Sequence, residues 1–219
     1  MVNAVSVLPH GHSDEARLNA FGLSTELIHG AYRPGLSRAL NRTSLALPSS
    51  PGTDIYHDTM ENLSLLLSDR GWKLAWIDRQ PRLVHPESLI AITVASGTDV
   101  ASSDRRRAPR ARKGVATRAA LAPPVAAMPL SIFEDQIESE RALAQAAAQT
   151  APLWLLVHER TDHGLRIELS RPALMTESGV VYDWEDRILI DFLDLNGDLS
   201  IFDEPDDAGG FDVFVEPLA

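Results

Sequence analysis

The stretch from Gly97 to Pro129 shows neither helical nor strand periodicity, and this break constrains the fold more than any other feature. Arg, Ala, Ser and Pro dominate it, and so long a stretch without a regular element is rare inside a compact domain. We therefore divide the chain into an N-terminal part (1–100), a basic loop or linker (101–130) and an acidic C-terminal part (131–219). One short helix is expected inside the linker, at 113–122.

The N-terminal part combines helical periodicity with short alternating segments. Capping residues and glycine or proline stops predict helices at 13–22, 24–33 and 54–71. Alternating apolar residues between turn signals then predict a meander of antiparallel strands at 72–78, 82–85 and 89–96. Pro34-Gly35 is expected to end the second helix, and the third helix is expected to pack against the meander.

The C-terminal part begins with an alanine-rich helix and continues as strands. Ser131 and Glu134 form a capping-box pattern, which predicts a helix over 132–149. Alternation then predicts antiparallel strands at 152–158, 165–170, 180–184, 187–195, 198–204 and 211–216, with a hairpin at Asn196-Gly197. The predicted class is α+β, with N-terminal helices and a small antiparallel β-meander, followed by a helix packed on a C-terminal antiparallel sheet.

Composition and motifs exclude several classes of protein. The chain contains no run of about 18 uncharged apolar residues, so we expect no membrane-spanning segment. It has no cysteine, which excludes disulfides and thiolate zinc sites. The first residues lack the features of a secretory signal, and we expect a cytoplasmic protein. No G-x-S-x-G, Walker A or G-x-G-x-x-G motif is present, so the sequence indicates a non-enzymatic protein without a cofactor.

The net charge of −11 is divided unevenly along the chain. Residues 1–100 carry 8 Lys and Arg against 10 Asp and Glu, residues 101–150 carry 8 against 5, and residues 151–219 carry 4 against 16. Such asymmetry indicates two parts with different partners, or a basic segment that docks on the acidic part.

The cations of the linker are mostly arginines, whose planar guanidinium groups bind phosphate oxygens at two points. Pro109 keeps part of the stretch extended, and no aromatic residue interrupts it, so sequence-independent phosphate contact is predicted rather than base recognition. The leading hypothesis is therefore an interaction or regulatory protein that binds nucleic acid through this loop. The alternatives are an inert linker and docking on the chain's own acidic sheet. The predicted nucleic-acid-binding residues are Arg105, Arg106, Arg107, Arg110, Arg112, Lys113 and Arg118.

The acidic C-terminal part suggests a second function. Carboxylates spread over a small sheet can imitate the phosphates of nucleic acid and occupy the basic cleft of a protein partner. The alternative function is thus a protein-binding module or inhibitor, and the residues predicted to contact the protein partner are Asp203, Glu204, Asp206 and Asp207.

Two short patterns in the N-terminal part suggest further functions. His10 and His12 match the start of the H-x-H-x-D-H signature of metallo-β-lactamase-like hydrolases, but Glu15 replaces its last histidine. A small metal-dependent hydrolase is therefore a third hypothesis, although no metal site is predicted. The helices around Gly22 are similar to a helix-turn-helix, whose recognition helix would present Thr25, Glu26, His29 and Arg33.

Overall fold

The computed structural model describes residues 10–102, 104, 107–121 and 136–194, with side chains from residue 13 and, in the last range, from residue 139. The helices are α1 (His10–Ala20), α2 (Thr25–Leu40), α3 (Ser50–Ser68), α4 (Val115–Ala120) and α5 (Gln136–Thr150). The strands are β1 (Lys73–Ile77), β2 (Gln80–Val84), β3 (Ala91–Thr98), β4 (Arg110–Arg112), β5 (Leu153–Arg160), β6 (Gly164–Met175) and β7 (Val180–Asp194). None of the described helices is both long and apolar enough to cross a membrane.

All of these strands belong to one mixed sheet, and the predicted α+β class is confirmed. Its order is β1-β2-β3-β4-β7-β6-β5, and β3 also pairs with β5. The β3–β5 pairing is parallel and the others are antiparallel. The pairings of β3, β4, β7, β6 and β5 therefore form a closed circuit.

The sheet crosses the boundaries between the three predicted parts. β3 of the first part pairs with β5 of the third, from Ala91–Leu153 to Ser96–His158. β4 lies within the predicted linker and pairs on one side with β3 and on the other with β7. The boundaries at residues 100 and 130 therefore do not separate two sheets.

Helices α1 to α3 cover one face of the sheet. Leu18, Ile28 and Leu63 are at most 2 % exposed and cluster with Val94 of β3 and Leu156 of β5. On the opposite face of the same strands, a second cluster contains Ala95, Ala111, Leu155, Val157 and Val181. Helix α5 packs mainly against β1 and β2, where Ala148 meets Ala75 and Val84.

Helix α2 differs from its prediction. It continues through Pro34 to Leu40, although the Pro34-Gly35 pair was expected to end it. Tertiary packing explains the difference, because a Cβ atom at Gly35 would lie only 2.9 Å from the Cα atom of Ile55 in α3. The glycine thus lets α2 and α3 approach closely, and this contact favours helix over the local preference of proline.

Strand β7 also differs from the prediction. It is one long strand where the sequence predicted two, and its pairing with β6 is irregular near Pro172. The predicted hairpin at Asn196-Gly197 and the last two predicted strands lie outside the described residues.

Candidate functional site

Strand β4 presents two arginines of the predicted basic site to solvent. Ala111 pairs with Gly97 of β3 and with Val181 of β7, and it is fully buried. Because side chains alternate along a strand, Arg110 and Arg112 project from the other face, where both are exposed. They lie about 7 Å apart along the strand.

Two glycines allow β4 to enter the sheet. A Cβ atom at Gly97 would lie 2.8 Å from Val157 Cγ1 and 3.0 Å from the carbonyl oxygen of Arg110. Gly179 has a φ of +89°, and a Cβ atom there would lie 2.6 Å from the carbonyl oxygen of Lys113. Lys113 N donates to the carbonyl oxygen of Gly179 at 2.7 Å, which fixes the end of β4 against the β6–β7 turn. A side chain at either glycine would displace the strand.

The chain from Arg107 to Arg112 runs along β7 in the opposite direction. Arg187 Nη1 donates to the carbonyl oxygen of Arg107 at 3.0 Å, and Trp184 Nε1 donates to that of Pro109 at 2.7 Å. The exposed side chains of Arg107, Arg110 and Arg112 therefore lie on one extended segment, and we call these three residues the arginine face. Within the part of the chain that the structure describes, none of their guanidinium groups forms an ion pair.

A buried ion pair anchors both ends of the loop that precedes this segment. Arg187 Nη2 and Nε donate to the carboxylate of Glu168 at 2.6 and 3.0 Å, and Glu168 is fully buried. Glu168 also accepts from Ala101 N at 2.8 Å and from Ser170 Oγ at 2.6 Å. Since Arg187 also donates to the carbonyl oxygen of Arg107, one ion pair holds the chain at residues 101 and 107.

The turn at the start of this loop needs such an anchor. Asp99 and Ala101 have φ values of 60° and 47°, in the left-handed region that is unfavourable for residues other than glycine. Val100 N donates to Glu159 Oε2 at 3.0 Å, next to the bond from Ala101 N to Glu168. Two carboxylates of the sheet therefore stabilise the turn by accepting its backbone N–H groups.

The other residues of the predicted basic site do not join the arginine face as free cations. Arg118 is exposed, but its Nη2 donates to the carbonyl oxygens of Thr176 (3.1 Å) and Glu177 in the β6–β7 turn. Lys113 points into the protein. Arg105 and Arg106 lie outside the described residues, as do Asp203, Glu204, Asp206 and Asp207 of the predicted protein-binding site.

The ammonium group of Lys113 fills a gap in the sheet. β2 and β4 pair with different ends of the same edge of β3, and between them Lys113 Nζ donates to the carbonyl oxygen of Val94. It also lies 5.7 Å from the centroid of the Tyr56 ring. Burial lowers the pKa of Lys113 to about 8. The residue thus completes the sheet and is unavailable for phosphate contact.

His158 of β5 is a second buried basic group on the helix-covered face. It is 3 % exposed, its Nδ1 lies 3.3 Å from the hydroxyl of Tyr32 in α2, and the two rings meet edge to face at 5.3 Å. Burial, and next the charge of Lys113, lower the pKa of His158 to about 4. Burial also raises the pKa of Tyr32. The neutral imidazole is therefore part of the contact between α2 and the sheet.

The low pKa of His158 predicts acid sensitivity. Between pH 6.5 and 4 the unfolded chain binds a proton that the folded chain does not, so the free energy of unfolding falls as the pH falls through this range. Urea denaturation of the wild type and of His158→Gln at several pH values measures the effect, and the variant should show a weaker pH dependence. His163→Gln, in an exposed turn, is the control. Equal pH dependence of His158→Gln and the wild type would contradict the prediction.

No sequence pattern indicates a role for Tyr182, an aromatic residue beside the arginine face. Ala111 pairs with Val181 and Arg112 with Val180, so the same register places Tyr182 next to Arg110. Its side chain is 47 % exposed. Roughly 70 residues separate it from the basic stretch, and only the pairing of β4 with β7 brings the two together.

An apolar groove lies elsewhere, between α3 and the β1–β2 hairpin. It has a volume of about 490 Å³. Its wall includes Met60, Leu65, Leu74 and Trp76, of which the last three are 64 %, 45 % and 56 % exposed. The arginine face does not contribute to this groove.

The helix-turn-helix pattern and the histidine pattern of the N-terminal part gain no support. Thr25 Oγ1 donates to Glu15 at 2.5 Å, His29 Nε2 lies 2.8 Å from the carbonyl oxygen of Asp191, and Glu26 lies 3.9 Å from Arg33. All four residues of the would-be recognition helix therefore have partners within the protein. Among the described residues no three His, Asp or Glu side chains form a group that could hold a metal ion, and the side chains of His10 and His12 lie outside them.

Comparisons with protein-family models, with curated proteins and with solved structures gave no match.

Proposed function

We propose that this chain is a non-enzymatic, cytoplasmic interaction protein that binds nucleic acid by contacting phosphates with the arginine face. The observation that supports the proposal is that the guanidinium groups of Arg107, Arg110 and Arg112 are exposed and, among the described residues, form no ion pair. Docking of these three arginines on carboxylates of the described residues would have neutralised them. Each retains the planar pair of donors that binds phosphate.

The overall charge of −11 does not prevent such binding. At about 0.1 M salt the Debye length is roughly 10 Å, so charges farther away than this are largely screened. Carboxylates farther than this from a phosphate at the arginine face therefore oppose its binding only weakly. Because the phosphate contacts release counterions, binding should weaken steeply as salt rises.

The experiment compares the wild type with the triple variant Arg107→Ser, Arg110→Ser, Arg112→Ser. Fluorescence anisotropy with labelled oligonucleotides is measured from about 50 to 200 mM NaCl. We expect the variant to bind at least about tenfold more weakly and the slope of log K against log salt to be shallower by about 2 to 3.

The matched control removes three exposed arginines elsewhere, Arg141, Arg160 and Arg166. It changes the net charge by the same amount and should retain the salt slope of the wild type. Equal losses in the two triple variants, or no oligonucleotide binding by the wild type at 50 mM NaCl, would overturn the proposal. The alternative of a protein-binding module acting through Asp203, Glu204, Asp206 and Asp207 stays a prediction.

A further inference from the structure

Tyr182, Arg110 and Arg112 form one surface of the sheet. Ala111 and Val181 are paired and fully buried on one side, so Arg110, Arg112 and Tyr182 project from the other. Thr98 of β3, opposite Arg110, is exposed on the same side. The surface thus carries an aromatic ring directly beside two cations.

The ring of Tyr182 is free of partners within the described part of the chain. It makes no hydrogen bond or ring contact there, and about half of its surface is open to solvent. By contrast, the neighbouring Trp184 donates from Nε1 to Pro109 and helps to hold the chain along β7. Trp184 therefore has a structural contact, and Tyr182 is the aromatic residue available to a ligand.

The nearest acidic residues of β7 have other partners than the two arginines of this surface. Asp183 Oδ1 accepts from the backbone N of Trp184 at 3.0 Å, and Glu185 pairs with Arg171 at 3.0 Å. Within the described residues, neither carboxylate pairs with Arg110 or Arg112.

We infer that the ligand of this surface is single-stranded nucleic acid, with one base stacked on Tyr182 and neighbouring phosphates bound by Arg110 and Arg112. The inference rests on the proposed function and specifies its partner. In a duplex the faces of the bases are covered by their neighbours, so a surface tyrosine can stack only on an unpaired base. Reading a duplex groove instead requires an element that enters it, such as a helix or a two-stranded ribbon. Here the arginines lie flat on a strand inside a sheet.

The test uses the full chain and three labelled probes, which are an oligothymidine, an oligouridine and a DNA duplex of equal length. We expect the single-stranded probes to bind at least about tenfold more tightly than the duplex. Tyr182→Ala should weaken single-strand binding by roughly 5- to 150-fold, the usual range for loss of one stacked base. Tyr182→Phe should retain the affinity, because stacking needs the ring and not the hydroxyl.

Salt dependence separates stacking from a structural effect. Tyr182→Ala should keep the salt slope of the wild type, because it removes no cation. Trp76→Ala, which removes an exposed aromatic side chain from the apolar groove, is the matched control and should bind like the wild type. Duplex binding as tight as single-strand binding, or full affinity of Tyr182→Ala, would refute the inference while leaving phosphate binding intact. If the wild type binds none of the three probes, the proposed function itself is refuted.

Discussion

Replacement of Arg187 by Met should lower the free energy of unfolding by about 3 to 5 kcal/mol, because it leaves a buried carboxylate without its cation. Glu168 is fully buried and Arg187 is 16 % exposed, so water cannot replace the lost guanidinium. The remaining donors to Glu168 are Ser170 Oγ and Ala101 N. Equilibrium urea denaturation of the wild type and the variant measures the loss.

Two further variants make this prediction specific. Arg171→Met removes one partner of the exposed Arg171–Glu185 pair and should cost at most about 1 kcal/mol. Combining Arg187→Met with Glu168→Gln should cost less than Arg187→Met alone, since no buried charge then remains. If Arg187→Met were no more destabilising than Arg171→Met, the buried carboxylate of Glu168 would not need the guanidinium group of Arg187 for the protein to be stable.

Replacement of Arg82 by Met should lower the free energy of unfolding by about 2 to 4 kcal/mol, because it removes the charged donor that two backbone carbonyl groups share in the protein interior. Arg82 is 2 % exposed and has no carboxylate partner among the described residues. It donates instead to the carbonyl oxygens of Ala148 in α5 and Ala116 in α4, at 2.9 and 3.0 Å. Its charge also lies at the C-terminal end of α5, where the helix dipole favours a cation. Burial lowers its pKa from the usual value.

Thermal and urea denaturation of Arg82→Met test this role. Arg141→Met is the matched control, because Arg141 is an exposed residue of the same helix α5 and its loss changes the charge equally. The control should stay within about 0.5 kcal/mol of the wild type. Similar stabilities of the two variants would show that Arg82 does not hold α4 and α5 to β2.

The sequence predicts those helices and strands whose own residues show capping signals or a regular apolar pattern. The third helix, the meander, the helix after Ser131 and the first strands of the C-terminal part were expected from capping residues and alternation, and they appear close to their predicted places. β4 was not predicted because a strand of three residues is too short to show alternation. It forms only through its pairing with β3 and β7. The continuation of α2 through Pro34 likewise depends on a contact between Gly35 and Ile55 that is distant in the chain.

The candidate site was predictable in its charge but not in its geometry. Composition identifies the cluster of arginines, and four of them, Arg107, Arg110, Arg112 and Arg118, are exposed among the described residues. It cannot tell that Lys113 turns inward to Val94, since burial depends on the gap between β2 and β4. Composition also cannot show that Arg110 lies beside Tyr182, because the register of β4 on β7 brings these two residues together.

The parallel pairing of β3 with β5 has a consequence for synthesis of the protein in the cell. Ala91 and Leu153, the first residues of this ladder, are about 60 positions apart. At about 5 to 20 residues per second, β3 leaves the ribosome roughly 3 to 12 seconds before its partner strand begins to appear. During that interval the apolar edge of β3 has backbone groups that another nascent chain can pair with. Production of this protein at high temperature or high expression level should therefore depend on chaperones that shield the incomplete chain.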